Sequence, residues 1–232
     1  IVTYQHNGSE TTSDSINVTV TDLGGLNTGS AFNVPITVNP VNDAPTVTVP
    51  GAQTTAEDTA LAISGITIAD VDAGTDDMTV TVSAPNGALS STAVGGLTTV
   101  SGSGTGSLVL TGSATALNTA LAALSYSPNL NFNGVDTITV LINDGGNNGA
   151  DPSSIGLTGT GTTTDEQASS TIAVTITAVN DIPVPNTTSG TPDVTIEPGG
   201  SFTGQISDYF TDPDGGPYTF GIDTPPTNGT LV

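Results

Sequence analysis

Apolar residues alternate with polar ones over short runs, and the same runs return along the chain. Ile16, Val18 and Val20 take every second position and lead into Asp22; Ile138, Val140 and Ile142 do the same and lead into Asp144. A period of two turns one face of a strand to a core and the other to water. The same reading predicts strands over Ala31–Val38, Thr46–Val49, Leu61–Ile68, Met78–Ser83, Thr98–Ser101, Ser107–Thr111 and Ser170–Thr177. Clusters of Gly, Pro and Asn separate these runs, and many short strands with regular turn signals predict an all-β chain of antiparallel sandwiches. One stretch has another period. Within Ala114–Leu124, Leu117, Leu121 and Leu124 fall at i, i+4 and i+7, which predicts a short helix closing one edge, with Ser113 as its cap. Asn86-Gly87 and Asn228-Gly229 read as hairpin turns. Tyr4 and Tyr126 read as core or edge anchors.

The recurrences have fixed spacing. Val41-Asn42-Asp43-Ala44-Pro45 returns as Val179-Asn180-Asp181-Ile182-Pro183. Tyr4, Asp14 and Asp22 return at one constant offset as Tyr126, Asp136 and Asp144, and Asp70-Val71-Asp72 returns as Asp212-Pro213-Asp214. Such spacing marks a tandem array of structural units. The array divides the chain into the end of one repeat (1–41), a linker (42–45), a complete repeat (46–178), a second linker (179–183) and the start of a further repeat (184–232). On this reading the chain is a piece of a longer protein. Gly145–Gln167, rich in Gly, Thr, Ser and Asn, is longer than its counterpart after Asp22. A loop of this length is either functional or mobile, and Asp151, Asp165 and Glu166 lie in it.

Charge changes the picture more than length does. The chain has 232 residues, 22 of them acidic and none Lys or Arg, for a net charge of −22. No carboxylate can meet a cationic side chain of Lys or Arg, so crowded carboxylates need a cation from outside. The charge also excludes nucleic acid, which calls for a positive footprint, and anionic membrane surfaces. No apolar run has membrane-spanning length, so no direct membrane insertion is expected. With no Cys, disulfides and sulfur-ligated metals are excluded. A Cys nucleophile, a Lys base and an Arg clamp are all missing, and aromatics make up only 4% with no Trp to line a sugar cleft, so catalysis is not expected.

The acids that recur are candidates for an oxygen-liganded ion such as Ca²⁺, which takes six to eight oxygens in flexible geometry. Asp43, Asp70, Asp72 and Asp144 are expected to converge near the first linker, with Asn42 adding an oxygen. Asp181, Asp212 and Asp214 are expected to converge near the second, with Asn180, and with Glu57 and Asp136 reaching from the preceding unit. Like charges brought together this way raise each other's pKa values unless a cation intervenes. Asp58, Asp76, Asp77 and Asp223 have no repeat partner and read as solvated turn residues. His6, the one histidine, reads as a surface residue near Glu10.

Glu57-Asp58-Thr59, Ala69-Asp70-Val71-Asp72-Ala73-Gly74, Asn131-Phe132-Asn133-Gly134-Val135-Asp136, Asn143-Asp144-Gly145-Gly146 and Val179-Asn180-Asp181-Ile182-Pro183 together resemble bacterial cadherin-like repeats of giant RTX-type and VCBS-type surface adhesins. Tyr4 to Asp14 is similar to the chondroitin sulfate proteoglycan-type relatives of those repeats. The resemblance implies tandem Ig-like/cadherin-like antiparallel β-sandwich domains with Ca²⁺ at their junctions. By motif position it implies Glu57, the linker residues Asp43 and Asp181, the pairs Asp70 with Asp72 and Asp212 with Asp214, and Asp144 as ligands. The linkers lack the longer Asp-x-Asn-Asp-Asn run of animal cadherins, which implies one or two ions per junction rather than three. The expected function is then a secreted or cell-surface stalk of an adhesin, stiffened by Ca²⁺, whose first partners are neighbouring repeats of the same chain. Two alternatives stay open: a subunit of a fibre, sheath or surface layer that meets like chains, and a Ca²⁺-dependent module that binds surface glycans through the Gly145–Gln167 loop.

Overall fold

A computed structural model describes residues 2–7, 10–27, 29–146, 149–150, 152, 166–186, 198–201, 203, 206–215 and 219–230. The chain is mostly β, with several antiparallel sheets and one short helix. In order the strands are β1 (Ser13–Val18), β2 (Phe32–Thr37), β3 (Thr46–Thr48), β4 (Gln53–Ala56), β5 (Leu61–Ile63), β6 (Thr67–Ala69), β7 (Met78–Ser83), β8 (Gly87–Ser91), β9 (Leu97–Ser101) and β10 (Ser107–Gly112). The helix α1 (Ala114–Ala122) follows, then β11 (Leu124–Pro128), β12 (Gly134–Asn143), β13 (Gln167–Thr177), β14 (Val184–Pro185) and β15 (Phe210–Thr211). A six-stranded sheet runs β4-β13-β12-β7-β10-β9 and a three-stranded sheet runs β5-β11-β8. β1 pairs with β2, β3 with β6 and β14 with β15. All these pairings are antiparallel except that of β4 with β13.

The alternation seen in the sequence builds the core. Met78, Val80 and Val82 of β7, Leu108 and Leu110 of β10, Ile138, Val140 and Ile142 of β12, and Ile172, Val174 and Ile176 of β13 are buried on one face of the large sheet. Ile63, Leu89, Leu124 and Tyr126 of the small sheet join the same cluster, as do Leu117, Ala120 and Leu121 of the helix. Each such side chain contributes roughly 1.5–3 kcal/mol by leaving water. The helix starts where Ser113 accepts a hydrogen bond from the Ala116 N–H at 3.4 Å. Ser113→Ala is expected to cost about 1 kcal/mol, read as a lower urea midpoint at unchanged slope.

Three local expectations change. The run Leu61–Ile68 is two strands in two sheets, because the buried positions switch parity between Ile63 and Ile66 and Gly65 turns the chain at φ +87°. The helix ends at Ala122, and Leu124 instead opens β11 opposite Ile63 and Ser91, still buried. Asn86-Gly87 is no hairpin: β7 lies in the large sheet and β8 in the small one, so the pair is a corner between them. The corner needs glycine, since a Cβ on Gly87 would lie 2.3 Å from Cε2 of Tyr126.

At that corner the Tyr126 hydroxyl donates to Asp136 Oδ2 at 2.8 Å, and the Thr137 N–H donates to Asp136 Oδ1 at 2.8 Å. The earlier copy repeats both bonds: the Tyr4 hydroxyl donates to Asp14 Oδ2 at 2.9 Å and the Ser15 N–H to Asp14 Oδ1 at 2.7 Å. β1 and β2 also pair antiparallel, as β12 and β13 do. The sequence repeat is therefore also a repeat of a side-chain bond, set by a tyrosine ten residues before an aspartate that begins or nearly begins a strand.

Candidate metal centre

Each Asp-x-Asp segment folds on itself before it meets anything else. Asp70 Oδ1 accepts from the N–H groups of Asp72 and Ala73, both at 3.1 Å, and Asp212 Oδ1 accepts from the Asp214 N–H at 3.0 Å. Short carboxylate side chains favour such turns over strand or helix. The second aspartate of each pair then captures the linker. The Asp43 N–H donates to Asp72 Oδ2 at 2.7 Å, and the Asp181 N–H donates to Asp214 Oδ2. The bond is the same although 29 residues separate the first pair and 33 the second. Tertiary geometry, not spacing, conserves the contact between the two copies.

At the first group Asn42, 1% exposed, donates through Nδ2 to Asp144 Oδ2 at 2.7 Å. Asp144 ends the buried register of β12 and is itself wholly buried. Its Oδ1 accepts from the N–H groups of Gly146 and Glu166, each at 2.8 Å. The linker backbone is held beside it: the Asn42 N–H donates to the Ala150 carbonyl at 3.1 Å and the Ala150 N–H to the Pro40 carbonyl at 3.0 Å. Gly149 permits this approach, because a Cβ there would sit 2.4 Å from the Asn42 nitrogen. Asp43 meets Asp72 through its backbone, while its own side chain is exposed. Asp144 thus reaches the linker through Asn42, and Asp70 with Asp72 reach it through Asp43. Asp151 and Asp165 of the long loop lie outside the described residues.

Burial, then the hydrogen bond and charge of Asp70 and the charge of Asp43, push the Asp72 carboxyl up to about 7, against the Asp43 N–H, which favours the ionised form. The folded chain therefore holds this proton more tightly than the unfolded chain. The resulting stability is complete below the ordinary carboxylate pKa near 4 and is lost as pH rises through 7. In metal-free buffer the melting temperature is expected to fall across that window by about 5 °C, and Asp72→Asn should flatten the profile. Calcium should reverse the slope, because it needs the ionised form.

The second group draws on three segments. Glu57 follows β4, which pairs with the end of β13, and the Glu57 N–H donates to the Thr177 carbonyl at 2.9 Å. This places Glu57, 2% exposed, beside the linker, where its Oε1 accepts from the Val179 N–H. One carboxylate oxygen each from Glu57, Asp181 and Asp214 lie within 4.8 Å of one another. Burial, then the charges of Asp214, Asp58, Glu57 and Asp212, raise the pKa of Asp181. Among the described residues, buried side-chain oxygens without a donor gather at the two groups: Asn42 Oδ1 and Asp70 Oδ2 at the first, Glu57 Oε2, Asp181 Oδ2 and Asp214 Oδ1 at the second. A buried acceptor left without a partner is costly.

Two expected members of the second group differ from its buried carboxylates: Asp136 is engaged at the Tyr126 corner, and Asn180 sits beside Asp181 but faces water. Asp136 is 2% exposed, and both its oxygens are occupied. Oδ2 accepts from the Tyr126 hydroxyl and from the Asn86 N–H at 3.0 Å, and Oδ1 from the Thr137 N–H and the Asn86 side-chain amide. Strand parity aims it into the corner with Tyr126, so it has no oxygen left for an ion. Asn180 is exposed and its amide donates to the adjacent Asp181 carbonyl at 3.3 Å. Asp58 is an exposed turn residue, as the sequence predicts, and it is also close enough for its charge to act on Asp181. Its adjacency to Glu57 was the one signal in the sequence.

The donor set fits the ion that the resemblance implies. It consists of oxygens only, several of them buried and lacking donors, and an ion with oxygens at about 2.4 Å spans about 4.8 Å between opposite ligands. Neither lysine nor arginine exists in the chain to take that place. No protein-family model matches the chain, and no curated protein matches it. Among the described residues no helix is long and apolar enough to cross a membrane.

Proposed function

We propose that the chain is a calcium-binding segment of an extracellular repeat protein, with tandem β-sandwich units of the cadherin-like kind, in which the ion pins each linker to the units beside it. The observation that carries this reading is the meeting of Glu57, Asp181 and Asp214, which come from before, within and after the second linker. Three carboxylates held together by three segments repel one another unless a proton or a cation intervenes, and a divalent ion both supplies the counter-charge and ties the segments together. Glu57 Oε1 and Asp214 Oδ2 are fixed by backbone N–H groups, which leaves their other oxygens preset for the ion. At the first linker Asp70 and Asn42 each keep a buried oxygen without a donor, and with Asp72 they are the residues through which an ion would act there. A linker so held resists bending, which suits a stalk that carries an adhesive tip away from a cell surface. Extracellular modules bind Ca²⁺ with Kd on the order of 10⁻⁴–10⁻³ M, matched to extracellular concentrations.

Isothermal titration of the metal-free chain with calcium chloride tests this. Saturable binding is expected, with one set of sites removed by Asp70→Asn with Asp72→Asn and the other by Glu57→Gln with Asp214→Asn. No binding up to about 10 mM calcium, far above the range for such modules, would leave the acids without a role in holding the linkers.

A further inference from the structure

Glu57 enters the second group from a turn with left-handed backbone. Asp58, the next residue, has φ +55°, and Asn131 has φ +56°; among the described residues these are the non-glycine positions in the left-handed region. They are joined to each other: the Asn131 N–H donates to Asp58 Oδ1 at 3.0 Å across 73 residues of sequence. Left-handed backbone costs on the order of 1–3 kcal/mol outside glycine and persists where surrounding contacts enforce it. Here those contacts are visible. The Asn129 N–H donates to the Asn86 carbonyl at 2.8 Å, the Phe132 N–H donates to the Asn129 carbonyl at 3.0 Å, and Phe132 packs on the core. The loop carrying Asn131 is therefore anchored to the same corner as Tyr126 and Asp136, and it grips the turn that aims Glu57.

We infer that Asp58 is a positioning residue of the cation site, acting through its bond to the Asn131 N–H to hold the Glu57 side chain toward Asp181 and Asp214. The inference rests on the calcium reading above and adds to it a residue that is no ligand. Asp58 needs only one acceptor oxygen for this bond, and that oxygen is already used. The role therefore asks for an acceptor and for tolerance of positive φ, both of which asparagine supplies. Glycine supplies the φ without strain but no acceptor. The two substitutions separate positioning from charge, since both remove the carboxylate's negative charge and only one removes the bond.

The test is calcium titration by calorimetry on the full chain carrying Asp70→Asn and Asp72→Asn, so that the second group is read alone. In that background Asp58→Asn is expected to bind within about threefold of its parent, and Asp58→Gly about tenfold more weakly, the scale on which groups behind metal ligands act. Equal weakening by both variants would show that charge alone matters and would overturn the inference, as would Asp58→Gly binding like the parent. If Asp58→Gly fails to fold by circular dichroism, parent and both variants are compared in sucrose, which favours the folded state of all three. Failure of the parent itself to bind calcium would instead remove the calcium reading, and the two failures are distinguishable.

Discussion

Glu57→Gln combined with Asp214→Asn is expected to raise the melting temperature of the metal-free protein and to lower it in calcium. The two effects have one cause. Without an ion, Glu57, Asp181 and Asp214 hold negative oxygens within 4.8 Å of one another in a partly buried setting. Amides in two of the three places remove that repulsion at nearly constant shape, so the apo variant gains a few degrees. With an ion, the same substitutions remove two of its anionic ligands. An ion that binds only the folded state stabilises it by about 2.7 kcal/mol at a hundred times Kd, which corresponds to roughly 5–10 °C for a chain of this size. The variant forfeits that gain at the second group. Scanning calorimetry with and without calcium should therefore show the melting temperatures of parent and variant crossing. A variant that is less stable in both conditions would mean that Glu57 and Asp214 serve the fold and not an ion.

Asp136→Ala is expected to cost on the order of 3–5 kcal/mol, the usual loss when one partner of a buried polar cluster is removed. The Asn86 and Thr137 N–H groups and the Asn86 side-chain amide would lose their acceptor at once, and the Tyr126 hydroxyl would keep only the Asn86 carbonyl at 3.3 Å. The wholly buried Tyr126 hydroxyl could not turn to water without opening the corner where Gly87 lies against its ring. Urea unfolding at neutral pH should show the same loss in metal-free buffer and in calcium, with calcium affinity at the two acidic groups little changed. A loss that disappears in calcium would restore Asp136 as a ligand. Asp14→Ala should matter far less, because Asp14 and Tyr4 make the equivalent bond in an exposed setting.

Some elements could be read from the chain because a local pattern specifies them. Met78–Ser83 appears with the bounds its alternation predicts, since three side chains on one face have a core to enter. β4 could not be read this way. Gln53-Thr54-Thr55-Ala56 carries no apolar alternation, and it becomes a strand by pairing in parallel with the end of β13. β8 and β11 were hidden for a related reason: each begins where the sequence shows another signal, a turn at Gly87 and a helical leucine at Leu124. Sheet membership overrode both.

The candidate site divides in the same way. The composition and recurrence of the linear chain show that the same acids return at fixed spacing with Asn42-Asp43 and Asn180-Asp181, and that no lysine or arginine is present to neutralise them. Those facts need no coordinates, because charge is counted and spacing is covalent. The tertiary structure alone decided which acids have oxygens to spare. Asp136 and Glu57 look alike as letters, yet Asp136 meets four donors, while Glu57 keeps a buried oxygen with none. Asp58 became visible through a backbone angle and a bond across 73 residues. Hydrogen-bond satisfaction is set by which distant backbone groups the packing brings within 3 Å or so, and no local pattern of residues encodes that.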